Sequence, residues 1–518
     1  MAELALPDQG TETNETDFDV IIVGAGLSGI GAACHLLRER PDTTYAVLES
    51  RPNLGGTWDL FRYPGVRSDS DMFTLGYSFR PWSDPRAIAD GDSILSYLRD
   101  TAEEYGVDQR IRFGHRVIDA SWDSATSRWT VTAEMVDAVT GAGTTVEFTC
   151  RWLSVCAGYY RYDRAHRPHF DGESDFDGAI VSPQSWPQSL DWTDKRVVVI
   201  GSGATAITLV PTLAEKAEHV TMLQRTPTYI VSLPAEDRWA RRLERFAPAG
   251  IASRIMFWKN VIGNIISYET ARRFPSLSKR VIRRETERAL GKDFPLEGHF
   301  TPPYDPWDQR VCVVPDGDLF QALRDGNADI VTDTISRFLP QGVETSGGKI
   351  IAADIVVAAT GLSMIPLGGM TLTVDGQPIS LPDTVVYKGM MLSDVPNFNL
   401  VIGYTNNSWT LKADLVSEFV ARALTYLDTH GYDTVTPCAT GVSATGAFVD
   451  LRSGYVARGI GAFPRQGEDA PWRLHQNYLR DLKLFRTTID EDPSLRFGRR
   501  TMRSASPALI DLNGASHA

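Results

Sequence analysis

Asp19-Val20-Ile21-Ile22-Val23-Gly24-Ala25-Gly26-Leu27-Ser28-Gly29 decides how this chain is read: an apolar run, a turn with three spaced glycines, then a helix-like stretch through Leu37. Far downstream, Arg196–Ile200 leads in the same way into Gly201-Ser202-Gly203-Ala204-Thr205-Ala206. In such a unit the first glycine permits a sharp strand-to-helix bend. The second lets backbone approach a pyrophosphate, and the third allows close helix–strand packing. Ala206 takes the third place in the second copy, an accepted variant. Phosphates then meet free N–H groups at the positive helix end. One such motif is weak on its own. Two, each between strand and helix, predict two dinucleotides held at once, with electrons passing between them.

The residue ending each following strand separates the two sites. Thr44–Leu48 ends in Glu49, an acid placed for ribose hydroxyls, which suits FAD or NAD. His219–Leu223 ends in Gln224-Arg225-Thr226, with no carboxylate and an arginine able to clamp a 2′-phosphate. The first site is therefore expected to take FAD and the second NADPH.

Outward from these motifs, a chain of 518 residues has room for about three domains. Its 42% hydrophobic and 23% charged content is ordinary for a globular protein. A net charge of −13 without a large basic patch argues against nucleic acid as a partner. Cys34, Cys150, Cys156, Cys312 and Cys438 form no C-x-x-C pair, which argues against a disulfide redox centre or a zinc site and suits a cytoplasmic setting. No metal is expected. Residues 1–16 are polar and acidic and read as a disordered tail without a signal peptide. Ile251–Tyr268 is the nearest approach to a long apolar run, but Arg254, Lys259, Asn260 and Asn264 interrupt it. An amphipathic packed helix is expected there, with membrane contact left open.

The expected fold class is α/β: two Rossmann-like dinucleotide-binding domains, the FAD domain discontinuous and the NADPH domain inserted in it, plus a helical insertion. Residues 17–157 and 350–518 are assigned to the FAD domain. Residues 158–349 are assigned to the NADPH domain, with the helical, charge-rich insertion at about 235–298. The repeated strand–turn signatures Trp152–Gly158 and Asp354–Gly361 mark where the chain leaves and re-enters the FAD domain. Leu411–Thr429 reads as a clear helix, and the region beyond Thr434 is weakly patterned.

The loop after Glu49 runs Gly55-Gly56-Thr57-Trp58-Asp59-Leu60-Phe61-Arg62-Tyr63-Pro64-Gly65-Val66-Arg67-Ser68-Asp69. It resembles the short fingerprint of flavoprotein monooxygenases of Baeyer–Villiger type at every fixed position. Phe176–Pro187 resembles the longer fingerprint but carries Ser182 where the family has His. Tyr159–Tyr162 and Pro306-Trp307-Asp308-Gln309-Arg310 are similar to the bacterial branch that includes the ethionamide-activating monooxygenase.

The resemblance implies that Gly55, Gly56, Thr57, Trp58 and Val117 contact FAD. It places Arg67, Ser68 and Asp69 at the flavin–nicotinamide junction, and Arg225 and Thr226 at the NADPH phosphate. Arg310 is implied as the active-site arginine and Asp69 as the carboxylate that positions it. NADPH would reduce the flavin, and O₂ would then give a C4a-peroxide that needs a fixed cation and a dry pocket. The expected activity is oxygen insertion into a ketone, giving an ester or lactone. Sulfide or amine oxygenation is the alternative, and a two-nucleotide reductase without oxygen transfer ranks behind both. The substrate is expected to be a small hydrophobic ketone or thioether, with Phe257, Trp258 and Ile262 either facing it or belonging to the core.

Overall fold

In the computed structural model, which describes residues 15–136, 143–449 and 451–500, each glycine turn sits at the carboxyl edge of its own sheet. Residues 1–14 of the expected tail lie outside the described residues. In the first sheet Asp17–Val23 runs parallel to Tyr45–Leu48 on one side and to Gly143–Val155 on the other. Being covered on both faces, it is a continuous apolar run rather than an alternating one. Gly143–Val155 is one long strand. It also pairs antiparallel with Arg128–Val136 and parallel with Phe398–Leu400, which returns from the far end of the chain.

The second sheet is all parallel, in the order Ala328–Thr332, His219–Gln224, Arg196–Ile200, Ile355–Ala358, Ala179–Val181. This corrects one expected boundary. Ile355–Ala358, assigned with residues 350–518 to the first domain, pairs with Val197–Ile200 in the second sheet. A short buried run of Ile, Val and Ala fits either sheet equally well; only its partner strand distinguishes them.

Two paired strands, Ile230–Leu233 and Cys312–Pro315, open and close the insertion. It holds the helices Arg238–Phe246, Ala249–Arg273, Pro275–Leu290 and Leu296–His299. Thr410–His430 forms a long helix against Leu27–Glu39, with buried His35 Nε2 3.1 Å from Asp414. The weakly patterned region beyond it is ordered by charge. Lys412 donates to Asp481 at 2.8 Å and Tyr404 Oη donates to the same carboxylate at 2.7 Å, so that Tyr478–Phe485 docks on the long helix. Such a buried pair costs desolvation, and losing one partner would leave an uncompensated charge. Among the described residues no helix is long and apolar enough to cross a membrane.

Candidate active site

The first glycine turn is crowded. Gly24 has φ +101°, and a Cβ there would sit 2.8 Å from the Cys156 carbonyl oxygen. A Cβ on Gly29 would stand 1.8 Å from the Gly24 carbonyl oxygen, so helix and strand approach closer than any side chain allows. Gly26 faces Gly56, whose own Cβ would lie 3.0 Å from the Gly26 Cα. Gly55 N–H donates to the Ala25 carbonyl at 2.9 Å. Thus the family-like loop closes directly over the turn. Glu49 is buried beside it, accepting from Ala25 N–H at 2.7 Å and from Arg51 N–H at 2.9 Å. The residue read as a ribose acid therefore also ties the second strand to the turn.

Around the loop, buried Asp59 accepts from Arg62 and pairs with Arg51, each at 2.6 Å. Thr57 Oγ1 lies 3.0 Å from Tyr162 Oη. Trp58 is half-buried against the first core. Val117 is buried next to a bulge in the strand His115–Asp123.

The second turn is more open. Gly201 has φ +138° and its Cβ would lie 2.4 Å from the Ala359 carbonyl oxygen, whereas nothing stands within 4 Å of a Cβ on Gly203. Ala206 is fully buried, filling the place that the first turn leaves to Gly29. Ser202 Oγ donates to the Thr226 carbonyl at 2.8 Å and lies 2.9 Å from Thr228 Oγ1, joining the turn to the end of the neighbouring strand. Arg225 stands exposed there. The helices Leu27–Glu39 and Ala204–Ala214 both begin at a glycine with no side-chain cap. Asp71, Asp90 and Asp237, in contrast, cap their own helices. The two glycine-turn helices thus keep their first N–H groups available to an anion, which fits a dinucleotide pyrophosphate at each.

The loop Arg62–Asp69 joins the two units. Tyr63 packs in the core of the second unit and is hydrogen-bonded to Thr205; burial pushes its phenol up to about 12 despite that bond. Gly65, at φ +75°, lies so close to the helix Ala204–Ala214 that a Cβ would come within 2.2 Å of Thr212 Oγ1. Arg67 donates to Asp318 at 2.5 Å and Ser68 Oγ accepts from Ala89 N–H at 3.2 Å, so both side chains brace the loop. That leaves Asp69, which accepts from Arg310 at 2.8 Å; both side chains keep about a third of their surface exposed.

Arg310 lies two residues before the strand Cys312–Pro315. Its loop is held by Arg272 donating to Asp308 at 2.7 Å and by Tyr268 packing 5.5 Å from Trp307. Burial opposes the guanidinium charge, but Asp69 and then Tyr159, Tyr160 and Tyr455 raise its pKa, so it stays a cation. Cys312, two residues on, is held protonated, its thiol pushed up to about 12 by burial.

Two residues here have no motif in the sequence. Tyr455 and Arg458 lie on the short helix Gly454–Gly459, and a spacing of three places them on one face. Tyr455 lies 6.2 Å from Tyr160, ring to ring. Arg458 donates to the Leu362 carbonyl at 3.3 Å at the end of Ile355–Ala358, and its pKa is lowered by burial and by Arg225. Two guanidinium groups thus flank the second turn. That spacing was the available signal. Ser182 caps the turn Pro183–Ser185 by accepting from Gln184 N–H at 3.3 Å. Ile262 is exposed and so outside the core, while Phe257 and Trp258 pack with Tyr404 and Tyr478. Among the described residues no group of three or more His, Cys, Asp or Glu could hold a metal ion.

Comparison with known proteins gives the family and the fold. Residues 18–244 match the model of the flavin-binding monooxygenase-like family. The chain is 50% identical over 484 residues to the FAD-containing monooxygenase EthA of Mycobacterium tuberculosis, covering 93% of this chain and 98% of that protein. It is 48% identical over 492 residues to EthA of Mycolicibacterium smegmatis, covering 94% and 99%. Among solved structures, an oxidized steroid monooxygenase bound to NADP superposes with a TM-score of 0.73 at 24% identity, over 93% of this chain and 100% of that one.

Proposed function

The chain belongs to the FAD-containing monooxygenases of the flavin-binding family, and from that premise we propose that it uses NADPH and O₂ to insert one oxygen atom beside a ketone carbonyl, giving an ester or lactone. The first turn, with Gly24, Gly26, Gly29, Glu49 and Gly55–Trp58, holds FAD. The second, with Gly201–Ala206, Arg225 and Thr226, holds NADPH. FAD held there would supply two-electron redox chemistry between the nicotinamide and O₂.

The protein supplies position and charge. Arg310 is a permanent cation whose place is fixed by Asp69 at the seam between the units, and this pair carries the proposal. It stabilises negative charge growing on the oxygen to be transferred, as attack on a carbonyl carbon requires. Tyr159, Tyr160 and Trp409 form an aromatic wall beside it, with ring centroids 4.5 and 5.3 Å from that of Tyr159, which limits water. Arg225 would hold the 2′-phosphate of NADPH, and Arg458 lies close enough to Arg225 for the two charges to interact.

Heteroatom oxygenation is the second reading. Ser182 favours it, because the hydroxyl standing where the family has His is bound to its own turn and cannot carry charge. Turnover of ketone and thioether panels under ¹⁸O₂ separates the two. Label in an ester is expected; sulfoxide without any ester selects the second reading; label in no product removes the oxygenase assignment.

A further inference from the structure

The helical insertion departs from the rest of the molecule in charge and in surface. Between residues 235 and 298 the sequence has 14 Lys and Arg against eight Asp and Glu, a net of +6 in a chain whose net is −13. The same segment concentrates exposed apolar side chains. On the 25-residue helix Ala249–Arg273, Ile251, Ile255, Ile262 and Ile266 are all exposed. At about 100° per residue these four fall within a sector of about 60°. Ala252, Met256 and Val261, on other sides of that helix, are buried.

The preceding helix adds Trp239 and Phe246, the latter 86% exposed, and the following helix adds Leu277 and Val281. Arg242, Arg245, Arg254 and Arg280 are exposed on the same three helices. Single exposed apolar residues are normal, but four on one face of a helix, with more on the two helices packed against it, mark an interaction surface.

Charge distinguishes its partners. A two-fold contact between copies of this face would set basic against basic. A head-to-tail contact with an acidic region would build a ring or an open filament, and would use a second, acidic surface of the chain. A negatively charged lipid surface satisfies both features, taking the isoleucine stripe into the headgroup boundary while the arginines meet lipid phosphates. We propose that the insertion docks this enzyme on an anionic membrane surface, the helix Ala249–Arg273 lying in the plane of the interface. At ~1.5 Å per residue it offers about 37 Å of contact. Its opposite side reaches the site: Asn264 donates to Asp71 at 3.2 Å and lies 3.3 Å from Asn407, and Arg272 holds the loop of Arg310. A docked helix therefore has lipid on one side and the cleft on the other. The docking itself does not depend on which substrate is oxygenated.

The test is co-sedimentation of the full chain with vesicles of phosphatidylcholine alone and of phosphatidylcholine with phosphatidylglycerol. The protein is expected to pellet with the phosphatidylglycerol vesicles, less as salt rises, and weakly with the neutral ones. Arg242→Gln with Arg245→Gln should lower partitioning onto anionic vesicles about thirty-fold, the loss expected for two surface cations. Ile255→Ser with Ile266→Ser should lower it on both vesicle types. All four positions are exposed, so thermal unfolding should match the parent protein. Failure to pellet with either vesicle, or equal binding to both, overturns the proposal. So does self-association in sedimentation velocity that disappears in the serine variant, which assigns the face to a second copy.

Discussion

The two glycine turns share a sequence pattern and differ in how tightly they are enclosed. At the first, Gly24, Gly26 and Gly29 are all approached by backbone, Gly55 and Gly56 lie directly over the turn, and Glu49 is fixed to Ala25 N–H. At the second, Gly203 has open space, the third position carries a methyl, and Arg225 stands exposed. Enclosure suits a cofactor that stays bound through many turnovers, because release requires the surrounding loop to move. An open turn with a charge at its edge suits one that must arrive and leave in each cycle, since an exposed cation steers an anionic ligand.

The sharpest challenge to this contrast concerns what lies between the turns. Arg310→Ala should lower oxygen insertion by about 10²–10³-fold, the usual cost of losing one preorganised charge, while flavin reduction by NADPH stays near the parent rate. Stopped-flow absorbance with product analysis measures both; product formation at the parent rate removes Arg310 from the chemistry.

Gly29→Ala probes the enclosed turn. Its methyl would meet the Gly24 carbonyl, so a loss of about 3 kcal/mol of stability together with bound flavin is expected. Thermal melts and the absorbance ratio of flavin to protein report it.

At the open turn, Arg225→Ala should weaken NADP⁺ binding by about 1.5–3 kcal/mol and NAD⁺ binding little. Titration calorimetry showing equal losses would contradict a phosphate clamp.

A smaller effect belongs to His35, on the helix of the first turn. Burial lowers its pKa, but the hydrogen bond to Asp414 and the Glu39 carboxylate 3.5 Å away outweigh this and raise it from 6.5 to about 9. A raised folded pKa gives stability that is complete below pH 6.5 and is lost as pH climbs through 9. The thermal midpoint should fall across that window, and His35→Gln should flatten the slope.

The smallest change is expected from Gly203→Ala. With extended backbone and no neighbour, it should alter stability by less than about 0.5 kcal/mol. A collapse like that of Gly29→Ala would end the comparison.

Both strand–turn–helix units could be read from the sequence because turn, strand run and helix are consecutive, and their glycines answer to local backbone geometry. The Arg310–Asp69 pair was legible only through resemblance. Its members are 241 positions apart, and no local rule brings them together. Tyr455 and Arg458 escaped notice because one spacing of three on a six-residue helix is too short a pattern to stand out in a weakly patterned region. The placement of Ile355–Ala358 in the first domain failed for a related reason, since an apolar strand does not reveal its partner.

By itself the sequence determined two glycine turns between strand and helix, the acid after one and the arginine after the other, because each depends on residues a few positions apart. Only the tertiary structure decided that Arg62–Asp69 bridges the units, that Arg310 meets Asp69, and that an isoleucine stripe faces outward among arginines. Those outcomes rest on which surfaces pack together, and packing joins residues that the chain keeps far apart.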